Sequence, residues 1–335
     1  MAPPKIFITG ATGYVGGDVL HTLLQSHPTW ETNITCLYRT PSSINKLTTT
    51  YPAIKTIQGT LESTQILEDE AAKADIVLHF ASSDHVPAAE AIKAGLLKGQ
   101  GGTWIHTSGT DLLLNPKLLK GEKDVEPKEI KVFDDWEHLD EVISFPAEHS
   151  HRPVDKVVLS ISGSNPDTNI KTAIVCPPTI FGHGRGTSSQ RSAQIPGLAA
   201  LTLDLGAEVR IPGGDKAFWN NIHIFDLSRL YLMLIDAAAG ASGGEGKGTS
   251  WGQKGYYFAE NGVHYWQEVA TWIADEAKVQ GVSTQGKVQG VTGSDKEVFR
   301  AEELLGWKPT IKWSREEVVD IVRVEAERKG LVKGN

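Results

Sequence analysis

A short apolar run, Lys5–Thr9 (KIFIT), is joined to a helix-periodic segment from Tyr14 to Gln25 by TGATGYVGG, with glycines at 10, 13 and 16. A brief apolar run closed by glycine reads as a buried strand. A strand and a helix joined by such a turn leave few folds open. Gly10 permits a tight turn, Gly13 lets backbone approach a pyrophosphate, and Gly16 allows close packing of helix on strand. The free N–H groups and dipole at the helix start then favour phosphate. The bland alternative is a glycine-rich turn of no consequence, and its position at the head of a βαβ unit argues against that.

The alternation continues through the first half. ITCLYR precedes a polar helix near Ser42 to Leu47, and IKTIQG precedes a helix near Ser63 to Ala72. DIVLHFA is followed by a helix near Pro87 to Lys98 and by the strand GTWIHTS. Strands alternating with helices imply parallel pairing through right-handed crossovers. The expectation is an α/β fold with a doubly wound parallel (Rossmann) sheet and a smaller C-terminal substrate domain, with ligand at the carboxyl ends of the strands. Residues 1–180 are assigned to the nucleotide-binding domain, with 215–240 returning to it, and residues 181–335 mainly to substrate binding.

Composition narrows the partners. A net charge of −8 without Lys/Arg runs disfavours a nucleic-acid surface. Cys36 and Cys176 sit in separate strand-like runs and read as buried free thiols, which fits a reducing compartment. The N-terminus reaches its first strand without a charged-then-apolar leader, and no window of about 18 apolar residues occurs. A cytoplasmic protein with no membrane partner is expected.

The end of the second strand selects between cofactors. An acidic residue there would hold the adenosine ribose 2′-OH, whereas arginine suits a 2′-phosphate. LYRTPSS places Arg39 at that tip, with no Asp or Glu beside it and Lys46 as a helper. The planar guanidinium fork matches phosphate, so NADP(H) is the expected cofactor.

With TGATGYVG, VLHFASS, CPPTIFGHG, NNIHIFDLSRLY and LLGWKP in this order, the chain resembles the extended short-chain dehydrogenase/reductases, including the NAD-dependent epimerase/dehydratase type. The resemblance implies cofactor contacts from Gly10, Thr12, Gly13, Tyr14, Val15 and Gly16. It places Phe80, Ala81 and Ser82 along the ribose, and Thr60 and Leu61 near adenine, where the family usually carries aspartate at the Thr60 position. Pro177, Thr179 and Ile180 would approach the nicotinamide. A homodimer through the helices after strands four and five is also implied by resemblance.

The family's chemistry needs a tyrosine, a lysine four residues on, and a serine or threonine near the end of strand five. The lysine lowers the tyrosine pKa and binds the nicotinamide ribose, and the hydroxyl holds developing charge. In HSHRPVDKVV the lysine is Lys156, but Arg152 occupies the tyrosine position. Gly109 occupies the serine position, between Ser108 and Thr110. Arginine stays protonated and cannot donate, though it can bind an anion or polarise a carbonyl.

Catalytic candidates are therefore Lys156, Arg152, Ser108 and Thr110, with His149, His151 and Asp155 as nearby replacement donors. His85, His183 and Arg185 are candidates to bind substrate; each histidine alone also suits a structural role. No metal-ligand spacing such as HExxH occurs, so no metal site is expected.

In the second half, the acidic DDWEHLDE part reads as a solvated helix, QRSAQIPGLAALTLDLG as a substrate-domain helix, and Trp266 and Trp272 as core. The leading reading is an NADP(H)-dependent oxidoreductase acting on a small organic carbonyl, imine or activated alkene. A missing acid suits an imine or activated alkene better than a ketone. Two alternatives stand beside it: an NADP-binding sensor without turnover, and a non-redox epimerase, isomerase or lyase.

Overall fold

The computed structural model describes residues 2–116, 133–161, 169–211, 213–240, 248–282, 287–289 and 307–332. The segment 117–132, upstream of the DDWEHLDE stretch, and the first residues of LLGWKP lie outside these.

The first half builds strands β1 (Ile6–Thr9), β2 (Ile34–Tyr38), β3 (Lys55–Gln58), β4 (Ile76–His79) and β5 (Gly102–Thr107). Four helices connect them: α1 (Tyr14–Ser26), α2 (Pro41–Thr50), α3 (Thr64–Ala71) and α4 (Val86–Lys98). Two helices follow, α5 (Leu139–Ser144) and α6 (Arg152–Ile161), and then β6 (Ile170–Cys176). With β10 (Tyr256–Phe258) these strands form one seven-stranded sheet ordered β10-β6-β5-β4-β1-β2-β3, parallel at every pairing. The chain winds outward in both directions from the β4/β1 pair, so a crevice opens above that pair, where such sheets bind ligands. Four-residue runs such as IFIT and IVLH are buried throughout because helices cover both faces.

Among the described residues the further strands and α-helices are β7 (Thr179–Phe181), α7 (Gln194–Leu205), β8 (Glu208–Arg210), β9 (Phe218–His223), α8 (Ile224–Ala238), β11 (Val263–Tyr265), α9 (Trp266–Val279), β12 (Lys287–Gln289) and α10 (Arg315–Arg328). Strands β11, β9 and β7 form a small sheet, and β12 pairs with β8. Helices α7, α9 and α10 share a separate apolar cluster, against which Trp266 and Trp272 pack. Helix α8 returns to the large sheet: Leu227, Leu230, Leu234 and Ile235 join the core formed by β1 and α1. Two sequence-distant motifs meet here. Buried Asp226 accepts hydrogen bonds from the Thr310 and Ile311 amides, both at 2.8 Å, and Trp307 donates to its carbonyl.

The acidic DDWEHLDE stretch departs from expectation. Helix begins only at Leu139, and Asp135 is fully buried, accepting the Phe258 amide of β10 at 2.8 Å. A buried carboxylate requires such partners, and only the fold supplies them. Among the described residues no helix is long and apolar enough to cross a membrane.

Candidate active site

The glycine turn meets the loop after β4. Gly10 has φ +82°, and a Cβ there would stand 2.8 Å from the Ala81 nitrogen, so only glycine fits. A Cβ on Gly16 would lie 2.4 Å from the Gly10 carbonyl oxygen, which is why α1 can sit so close to β1. At Gly13 the nearest atom would be the Gly10 oxygen at 3.1 Å, and its other side stays open.

Beside this turn lies a pocket of about 450 Å³ that gathers Gly10, Thr12, Arg39, Thr60, Leu61, Phe80 and Ala81. Its shape and lining suit the adenosine end of a dinucleotide, with Arg39 exposed at the tip of β2 and Ser43 in the first turn of α2. Lys46 is exposed on α2 and is not among the lining residues.

Two residues in the pocket carry roles the sequence did not reveal. Glu62 enters from the end of β3, and its carboxylate lies 2.7 Å from His85 Nε2. His85 Nδ1 accepts the Ala88 amide and so caps α4. His85 therefore lines this pocket and caps α4. Tyr14 turns away from the pocket, and its hydroxyl donates to the Gly182 carbonyl at 2.6 Å. Ser82 Oγ accepts the Asp84 amide, and the Ser82 carbonyl lies 3.0 Å from buried His79. The Thr110 amide donates to the Pro177 carbonyl at 3.2 Å, tying the loop after β5 to the loop after β6, and Thr179 is buried in β7.

Arg152 does not reach this crevice. It opens α6, is fully buried, and donates from Nη2 to Ile143 O (2.5 Å) and from Nε to Phe145 O (3.4 Å). Its Nη1 stands 3.6 Å from the carboxylate of Asp155, which is also fully buried. Asp155 accepts from Tyr256 (2.8 Å) and from Ser108 (3.1 Å), so the Ser108 hydroxyl is turned inward as well. Burial pushes the Asp155 carboxyl up to about 6, against the pull of Tyr256, Arg152 and Ser108. His106 lies 3.9 Å from Asp155, but burial holds its pKa well below the usual value, so the two do not form an ion pair. Lys156 is exposed one turn further along. The expected constellation of Arg152, Lys156, Ser108 and Thr110 is thus divided. Arg152 and Ser108 are committed to the interior, and Thr110 accepts a hydrogen bond from Trp219 at 3.1 Å.

His151, one residue before Arg152, is set between the loops after β4 and β5 instead. It has φ +63°, the one positive value at a non-glycine among the described residues. Its Nδ1 lies 2.8 Å from Asp84, after β4, and its Nε2 lies 2.5 Å from Asp111, after β5. Asp84 also accepts the His151 amide at 3.1 Å. Carboxylates only accept, so both ring nitrogens must donate and the ring is an imidazolium. Burial alone would lower its pKa, but the Asp111 hydrogen bond and charge, helped by Asp84, outweigh burial and hold it at about 9. For Asp111, burial raises the pKa, yet the hydrogen bond and charge of His151 bring it below the usual value.

At the second-half positions expected to bind substrate, the side chains have partners within the protein. Arg185 makes a bidentate pair with fully buried Asp18, from Nε at 3.1 Å and Nη2 at 2.6 Å, and stacks over Phe225. That pair fastens the loop after β7 to α1. His183 pairs with Gln190 at 3.0 Å and lines a separate depression of about 460 Å³ between the start of α7 and α10, where Arg191 contacts Glu325.

Residues 6–100 match the model of the NAD dependent epimerase/dehydratase family. The chain is 34% identical to the oxidase ucsJ of an Acremonium species, across 98% of this chain and 99% of that protein. Among solved structures it is similar to yeast methylglyoxal/isovaleraldehyde reductase Gre2 complexed with NADPH, with TM-score 0.64, 16% identity, and 98% and 99% of the two chains covered. It is also similar to the dTDP-glucose 4,6-dehydratase DesIV of Streptomyces venezuelae with NAD bound, with TM-score 0.66, 15% identity, and 98% of each chain covered. The glycine turn, the parallel sheet and these likenesses agree: the chain belongs to the NAD-dependent epimerase/dehydratase family, the extended short-chain dehydrogenase/reductases.

Proposed function

We propose that this chain is an NADP(H)-dependent oxidoreductase acting on a small organic carbonyl, imine or activated alkene. The observation that carries the cofactor choice is Arg39 at the tip of β2, in the adenosine-side pocket beside the start of α2. A guanidinium and free helix N–H groups both favour the phosphate that distinguishes NADP(H) from NAD(H). The cradle fits a dinucleotide, since Gly10 and Gly16 leave no room for side chains and Gly13 keeps one face open. When bound, the nicotinamide supplies or accepts a hydride. Thr60 and Leu61 would flank adenine, Phe80, Ala81 and Ser82 the ribose, and Pro177, Thr179 and Ile180 the nicotinamide end. The two buried free thiols support a reducing, cytoplasmic setting.

One observation favours a second reading. Arg152 is fully buried and Ser108 is turned inward, as in a protein that binds the cofactor without using it. Titration with NADP⁺, NADPH and NAD⁺, in the wild type and in Arg39→Ala, tests the cofactor choice. Loss of charge-assisted hydrogen bonds to phosphate, worth about 1.5–3 kcal/mol, predicts roughly 10- to 150-fold weaker NADP(H) binding in the variant. Equal binding of NAD⁺ by the wild type would overturn it. Binding without turnover of any carbonyl, imine or alkene would favour the sensor.

A further inference from the structure

The two departures from the family pattern, glycine at 109 and arginine at 152, are one physical arrangement. A Cβ built on Gly109 would stand 3.0 Å from His151 Nε2 and 3.3 Å from its Cδ2. A serine there would press on the imidazole, so the absent side chain makes room for the ring. Helix α6 turns Arg152 into the interior, and the left-handed backbone of His151 brings its ring over the ends of β4 and β5. Asp84 holds one nitrogen and the amide of the same residue, which fixes ring orientation. The other nitrogen points toward Asp111, whose side chain is half exposed.

Resting on the reductase reading above, the geometry points to His151 as the proton donor that takes the place of tyrosine, with Asp84 as its positioning residue. In reduction the hydride carries its electron pair to the electrophilic carbon of the substrate, and NADPH is the stoichiometric reductant. The π pair of the C=O or C=N bond moves to the heteroatom, or to the far carbon of an activated alkene. That atom takes the Nε2 proton. The imidazolium becomes imidazole and regains a proton from solvent beside Asp111. The substrate atom enters next to the Asp111 carboxylate and shares the Nε2–H with it. Among the described residues, the charged or titratable groups that act on His151 are Asp84, Asp111, Asp155 and His106.

The test uses the full chain with deuterium-labelled NADPH and three probes, pyrroline, hexanal and cyclohexenone, in the wild type, His151→Gln and Asp84→Asn. Fluorescence titration should give the same NADPH affinity in all three proteins. Label transfer should fall about 10²–10⁴-fold in His151→Gln. In the wild type kcat/KM should decline as pH rises through about 9, where the imidazolium of the free enzyme is lost. In Asp84→Asn that limb should move to lower pH, which a merely structural role would not produce. Loss of NADPH binding in His151→Gln, undiminished transfer by that variant, or an unmoved limb in Asp84→Asn would overturn the proton donor alone. NADPH binding with no label transfer by the wild type to any probe would overturn the reductase reading and the donor with it.

Discussion

Replacing Arg152 by alanine tests whether this residue belongs to the interior or to the reaction. The side chain makes two hydrogen bonds to main-chain carbonyls and stands 3.6 Å from Asp155, with both residues fully buried. Breaking a buried pair on one side costs about 3–5 kcal/mol, because the remaining charge is stranded. The sign of the pH dependence follows from Asp155. Its folded carboxyl already sits at about 6, above its ordinary 3.8, so folding is penalised as pH rises between those values. Without Arg152 the folded value climbs further. At about pH 5 the carboxyl stays protonated in either folded protein, and this part of the loss is near zero. At about pH 8 it reaches roughly 1.4 kcal/mol for each unit climbed. Urea unfolding followed by tryptophan fluorescence at both pH values measures it, and adding Asp155→Asn should recover most of the charge part. Arg152→Tyr, which recreates the family's tyrosine, should lose stability and gain no hydride transfer. Unchanged stability in Arg152→Ala with lower turnover, or a gain of turnover in Arg152→Tyr, would refute the interior assignment.

Three further outcomes follow from named contacts. Gly109→Ser should push the imidazole off Asp111 and lower the His151 pKa from about 9, read by NMR of labelled histidine. His151 has a raised folded pKa, so its stabilisation is complete below its ordinary 6.5 and is lost as pH rises through about 9. After discounting for its half-exposed partners, this is about 1–3 kcal/mol, read from unfolding of the wild type against His151→Gln. Arg185→Met strands buried Asp18 and should cost about 2–4 kcal/mol in chemical unfolding while leaving the KM for any reduced probe unchanged.

The grouping of the candidate cofactor residues in one pocket was legible because its signals are local. Gly10, Gly13 and Gly16 report backbone constraints within a single turn, and Arg39 is placed by the strand that precedes it. The structure gathers Gly10, Thr12, Arg39, Thr60, Leu61, Phe80 and Ala81 in one pocket. The role of Glu62, which directly follows Thr60 and Leu61, was not legible because its partner His85 is 23 residues away. The solvated reading of DDWEHLDE failed at Asp135, whose partner is the Phe258 amide far along the chain. Arg185 and His85 looked free in the sequence because their partners, Asp18 and Glu62, are 167 and 23 residues away.

Sequence alone determined the strand–glycine–helix opening and the alternating parallel architecture, and it raised the expectation that Arg152 and Gly109 stand at the family's tyrosine and serine positions. These depend on residue type and short spacing, which a linear reading preserves. Only the tertiary structure decided which side chain lies between the loops after β4 and β5. Asp84 and Asp111 lie 67 and 40 residues from His151, and the space for its ring is defined by an absent side chain in the loop after β5. Which way a helix turns its first residues is fixed by what packs beneath it. Here the carbonyls of Ile143 and Phe145 draw Arg152 inward and leave His151 above the strand ends.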